Sequence, residues 1–201
     1  MKLKSRSGTF TFDEFCLRVQ DGQKADLIDG VIHMASPDNT DAGDLFVWLI
    51  RILADFCDER DLGKVYGSRI AFKLDDRNSP EPDLAVVLKE NLDRVERGYV
   101  EGAADLAIEI VSPSSVERDY DTKRTLYEKF KFPEYWIIDE ELEKVTLFRL
   151  GPKGYRDVKP RKGVLVSQIL PGFWFRPEWV WSQPRPRKSD VLAKILAGLP
   201  R

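Results

Sequence analysis

Leu106-Ala107-Ile108-Glu109-Ile110-Val111 decides the fold, because it is an apolar run with a single carboxylate inside it. A short continuous apolar run marks a strand buried on both faces, and such strands sit in sheets covered by helices. A second run, Leu84-Ala85-Val86-Val87-Leu88, has the same character and follows Pro82-Asp83. An ionised glutamate inside such a strand is costly unless it is paired or bound to a metal. Fold and chemistry therefore meet at Glu109.

Downstream, Ser112-Pro113-Ser114-Ser115 closes the strand and opens a helix expected to reach Phe130, with Pro133 forbidding its continuation. Lys123 lies on that helix, with Tyr127 one turn further along the same face. Residues 134–139 and 144–150 read as two more strands. Upstream, Thr11-Phe12-Asp13-Glu14 is a capping box, so a short helix follows that buries Phe15 and Val19 and stops near Gly22. Asp29-Gly30 between two apolar runs predicts a two-residue hairpin. That register makes Asp26 and His33 directly opposed neighbours, and Ser36-Pro37-Asp38 ends the second strand. Leu45, Trp48, Leu49, Ile52, Leu53 and Phe56 share one face of a helix over residues 44–61, and Ile70, Phe72 and Leu74 alternate as a strand. Strands interleaved with helices indicate an α/β fold. One domain is expected over residues 1–182, then a basic, proline-rich linker and a short helix capped by Ser189 over 183–201.

The 201 residues are 42% hydrophobic and 33% charged, which suits a globular protein. A net charge of −2 argues against a broad basic face that coats DNA, but not against an enzyme that touches a few phosphates. The clusters Lys159, Arg161, Lys162 and Arg185, Arg187, Lys188 read as solvated loops. No apolar stretch is long enough to span a membrane, and the first residues form no signal-peptide core. With Cys16 and Cys57 expected as buried free thiols, the expectation is a cytoplasmic protein. One histidine and two distant cysteines leave no usual zinc site and no Ser-His-Asp triad, and no glycine-rich phosphate loop is present. Trp174, Phe175, Trp179 and Trp181 form either core or the surface of a homodimer.

What remains for chemistry is carboxylates, lysines and a hard cation. Asp83 and Glu109 on neighbouring strands, with Lys123 nearby, are the minimum for holding magnesium. Each has a plainer reading: Asp83 as a turn residue, Lys123 as an exposed helix lysine, Glu109 as the structural partner of Arg69 or Lys73. Glu109 is the hardest of the three to explain that way.

The chain also resembles the Uma-two family of restriction endonucleases, within the PD-(D/E)xK nuclease superfamily. The resemblance runs from about Phe10 to Trp179, on ordered blocks: Asp26-Leu27-Ile28-Asp29-Gly30, Met34-Ala35-Ser36-Pro37, Glu81-Pro82-Asp83-Leu84 and residues 105–114. It continues through Lys123-Arg124-Thr125-Leu126-Tyr127, residues 133–139 and Leu170-Pro171-Gly172-Phe173. It implies a restriction-endonuclease-like core, a mixed β-sheet flanked by α-helices, and metal-dependent hydrolysis of nucleic-acid phosphodiesters, DNA foremost. It also implies that Asp83, Glu109 and the backbone carbonyl of Ile110 hold Mg2+ or Mn2+. Lys123 would then orient or help deprotonate the attacking water, and Asp26 would assist in place of the family's usual glutamate. Val111 stands where the superfamily usually has its lysine, residues 40–43 lack a histidine common in the family, and Lys131 stands where a glycine usually ends the helix. The rival expectation is a catalytically silent nucleic-acid-binding or protein-interaction module on the same fold. Without metal, the charges of Asp83 and Glu109 should repel, so Asp83→Asn is expected to stabilise the protein.

Overall fold

A computed structural model describes residues 2–3, 8–20, 22–36 and 39–200. The first elements are β1 (Lys2–Leu3), α1 (Phe12–Arg18), β2 (Ala25–Ile28), β3 (Val31–Met34), α2 (Thr40–Glu59), β4 (Gly63–Gly67) and β5 (Ala71–Lys73). Then come β6 (Leu84–Leu88), β7 (Tyr99–Glu101), β8 (Leu106–Ile110), a π-helical turn (Arg118–Lys123), α3 (Arg124–Lys129), β9 (Glu134–Asp139) and β10 (Lys144–Gly151). The chain finishes with β11 (Gly154–Val158), β12 (Leu165–Val166), β13 (Trp174–Phe175), α4 (Glu178–Trp181) and α5 (Lys188–Leu196).

Among the described residues the main sheet has six strands in the order β11-β10-β9-β8-β6-β4. β8 and β9 are parallel, while every other neighbouring pair is antiparallel, so the sheet is mixed as expected. Alternate residues of β8 serve opposite layers. Leu106 and Ile108 join α2 and α5 in the larger core, whereas Ala107 packs with Tyr127, Phe132 and Tyr135. Glu109 has the parity of Ala107 and so faces the α3 layer.

The helical spacing of α2 works as read: Leu45, Leu49, Ile52, Leu53 and Phe56 are buried. Val191 and Ile195 of α5 seal the same core, and the Trp48 indole donates to the Pro186 carbonyl at 2.8 Å. Ser189 does not cap α5. The helix already begins at Lys188, and the Ser189 hydroxyl turns to Asp190. Trp174, Phe175 and Trp179 are buried and Trp181 partly so, which makes these rings core rather than a surface for a second copy. Cys57 is a buried free thiol, but Cys16 is exposed because α1 spends its inner face on Phe12 and Phe15. Among the described residues no helix is long and apolar enough to cross a membrane.

The Thr11 capping box is formed, and α1 ends at Arg18, ahead of Gly22. Asp29 and Gly30 both take positive φ, 48° and 73°, as the tight hairpin turn requires. Asp26 pairs with His33 across it. Pro37 and Asp38, expected to break β3, lie outside the described residues. The helix expected after Ser115 is not uniform, since Val116 and Glu117 are α-helical and lead into the π-turn before α3.

Candidate active site

The β6–β8 register pairs Leu84 with Ile108, so the next antiparallel step sets Asp83 opposite Glu109. Directly opposed residues share a face. Both enter one open cleft of about 570 Å³, lined also by Lys24, Arg69, Arg118 and Lys123. It lies at the carboxyl end of β8, where parallel strands followed by helices present their ligand sites.

Glu109 is 1% exposed. The Lys123 ammonium donates to its Oε1 at 2.9 Å, and the Tyr127 hydroxyl donates to the same oxygen at 2.7 Å. Lys123, equally buried, also lies 3.2 Å from Oδ2 of Asp26, with Arg118 Nε 3.6 Å from that oxygen. The other Asp26 oxygen accepts the Glu81 N–H at 2.9 Å. Asp83 accepts the Ile110 N–H on Oδ2 at 2.7 Å and is ion-paired with Lys24 through Oδ1.

Two backbone devices aim these groups. In the π-turn, with its i→i+5 pattern, Arg118 and Lys123 fall on one side, and both reach Asp26. At the other end of α3, Lys131 takes a left-handed φ of 64°. Its N–H meets the Glu128 carbonyl at 3.2 Å and the Phe132 N–H meets the Tyr127 carbonyl at 2.9 Å, a Schellman closure. The Phe132 ring then stacks on Tyr127 with centroids 4.2 Å apart, holding the phenol under Glu109.

Residues 11–178 match the protein family described as "Uma2: Putative restriction endonuclease". The chain belongs to this family. A solved structure described as "a putative nuclease belonging to DUF820 from Anabaena variabilis ATCC 29413" aligns with a TM-score of 0.71 at 16% identity. The alignment covers 86% of this chain and 97% of that one, and it shows a shared fold. A comparison with curated proteins finds no match.

In this Uma2 member, burial pushes the Glu109 carboxyl up to about 8, with Lys123 pulling it back and Asp83 adding to the rise. Burial presses the Lys123 ammonium down, but Asp26 and then Glu109 outweigh it, so Lys123 holds its proton above the usual lysine range. For Asp26 burial pushes upward, yet Lys123, Lys24 and Arg118 together leave it below the usual carboxylate range. Burial lifts Glu81 to about 7 against the opposing Ala25 N–H.

The structure thus brings Asp83, Glu109, Ile110 and Lys123 to one cleft and sets Asp26 behind Lys123 as its counter-ion. The plainer pairing of Glu109 does not form: Arg69 donates to the Gly22 carbonyl, and Lys73 sits near Glu101. Lys24, Arg118 and Glu81 were not singled out from sequence. Glu81 sits inside the Glu81-Pro82-Asp83 block, which was a usable signal. Lys24 resembles any strand-edge lysine, and Arg118 meets Lys123 only through a π-turn. Asp83 does add to the rise of Glu109, as like charges should, but Lys24 beside Asp83 and Lys123 beside Glu109 offset that repulsion.

Among the described residues no three Asp, Glu, His or Cys side chains converge as a metal-holding group. Asp83, Glu109 and the buried Asp119 line the open cleft, so its acidic donors are all oxygens. That suits a hard cation which keeps several waters, as magnesium does, and does not suit zinc.

Proposed function

We propose that the chain is a metal-dependent endonuclease that hydrolyses nucleic-acid phosphodiester bonds, in DNA before RNA. The observation that carries this reading is the buried Lys123 ammonium, held between Glu109 and Asp26 beside Asp83 in an open cleft. Asp83, Glu109 and the Ile110 carbonyl would hold Mg2+ or Mn2+, which supplies a water of lowered pKa and offsets phosphate charge. Lys123 keeps its proton at rest, so its first role is to orient the attacking water and a phosphate oxygen. Asp26 fixes the ammonium, and Tyr127 fixes the carboxylate it serves. Arg69 and Arg118 offer the cleft's cationic contacts to the nucleic-acid backbone. A cytoplasmic location belongs to the same proposal, in keeping with two free thiols.

The test is cleavage of supercoiled plasmid, linear duplex and single-stranded DNA and RNA with magnesium or manganese. Asp83→Asn and Lys123→Met, checked for folding, should each lose about 10²–10³-fold in rate, the scale of removing one transition-state contact. No metal-dependent cleavage of any substrate would sink the proposal. One observation favours the silent binding module instead: both carboxylates already carry a lysine partner. That reading expects nucleic-acid binding which is indifferent to metal and to Asp83→Asn.

A further inference from the structure

Two of the acids lining the cleft, Asp83 and Glu109, each have a lysine partner, and the two lysines are not alike. Lys123 is 1% exposed and shared between Glu109 and Asp26. Lys24 serves Asp83 from just before β2, and the two side chains of that pair are 20% and 17% exposed. With Oδ2 committed to the Ile110 N–H, Lys24 occupies the other Asp83 oxygen. An ammonium and a divalent ion on one carboxylate oxygen repel each other at close range, so each weakens the other's hold on it. Lys24 has a flexible four-carbon stem and solvent beside it, so it can leave; Lys123 is enclosed.

We propose that Lys24 is a tethered stand-in for the metal ion, holding Asp83 until a divalent cation displaces it and so setting the metal affinity of the site. It is a positioning residue, and the inference rests on the reading of Asp83 as a metal ligand. The released ammonium stays in the cleft that Arg118 also lines, where a phosphate would neutralise it. A purely structural Lys24, tying β2 to the start of β6, makes the opposite prediction: removing it would loosen Asp83 and weaken metal binding.

The sign of one measurement separates the two. Mn2+ alone is titrated calorimetrically into the metal-free full-length chain, with no nucleic acid present, for wild type, Lys24→Met, Lys24→Gln, Lys24→Arg and Asp83→Asn. Circular dichroism checks the fold of each, and Lys24→Gln stands in if Lys24→Met does not fold. The apparent Kd of a site rises as its competent fraction falls, so a pair closed nine-tenths of the time predicts about tenfold tighter binding without the lysine. Lys24→Arg should stay near wild type. In an Asp83→Asn background Lys24→Met should bring no gain, because the two act on one oxygen. Wild type that binds Mn2+ while Lys24→Met and Lys24→Gln bind no tighter overturns this inference and leaves the nuclease proposal standing. Mn2+ binding to none of the proteins overturns the metal site itself, and this inference with it.

Discussion

Two glutamates on adjacent parallel strands are almost equally buried, Glu109 at 1% exposure and Glu134 at 0%, yet they are built for different ends. Glu134 opens β9, and both its oxygens are matched. Oε1 accepts from Arg149 Nε at 3.2 Å and the Gln168 N–H at 2.6 Å, and Oε2 from the Ser167 hydroxyl at 2.8 Å and the Trp136 indole at 3.2 Å. Glu109 lies near the carboxyl end of β8, takes both its hydrogen bonds on Oε1, and borders the cleft. Glu81, also buried, accepts one N–H, from Ala25 at 3.1 Å. Burial alone does not mark a site. A carboxylate with four donors ties the sheet to the loop after β12, while one with unused capacity beside open space can take a ligand.

Glu134→Ala should break this contrast most severely. It strands Arg149 and three further donors, so it should cost about 3–5 kcal/mol in urea unfolding. A loss under about 1 kcal/mol would mean that the four donors find water and that Glu134 is no anchor.

Glu81→Gln sharpens the other end of the ranking. The folded-state value of Glu81, about 7, is above the unfolded value of 4.5, so folding favours its protonated form. Wild-type stability should therefore fall as pH rises from about 4.5 to about 7 and then level, by at most about 3 kcal/mol from this group. The glutamine variant should lack that fall in melts taken across the range. Parallel pH profiles for the two proteins would show instead that Glu81 is ionised in the folded chain.

Asp83→Asn comes next in size. It removes the charge that holds Lys24, so the metal-free variant should be about 1 kcal/mol less stable than wild type, the reverse of the expectation from sequence. Adding millimolar Mn2+ should raise the Tm of wild type more than that of the variant. Smallest is Lys131→Gly. It should add about 0.5–1 kcal/mol in thermal melts, since glycine adopts φ near 64° without the penalty lysine bears.

Much of this was legible from local chemistry. The Asp29-Gly30 turn set the hairpin register, the spacing from Leu45 to Phe56 set α2, and a charge in an apolar run drew attention to Glu109. Glu134 was as open to that reasoning, being acidic and at the head of an apolar strand, yet its role depends on Arg149, Ser167 and Gln168, which lie far along the chain. Lys24 was missed for the same reason, as it meets Asp83 across 59 residues of sequence. Lys123 was placed on the helix after Ser115 by the local reading, and the family resemblance supplied its role. What puts it against Asp26 and Glu109 is a departure from α-helical geometry that no periodicity of side chains announces.

That departure carries a constraint of its own. A π-turn is one residue more than an α-helix needs, and each residue gained or lost in a helix turns everything beyond it by roughly 100°. Between Arg118 and Lys123 the chain therefore counts residues as well as choosing them. Among relatives, the exposed positions of this turn should be free to change identity, whereas insertions and deletions should gather in loops away from it. A shift of one would swing the lysine out of the sheet's reach while leaving the helix intact.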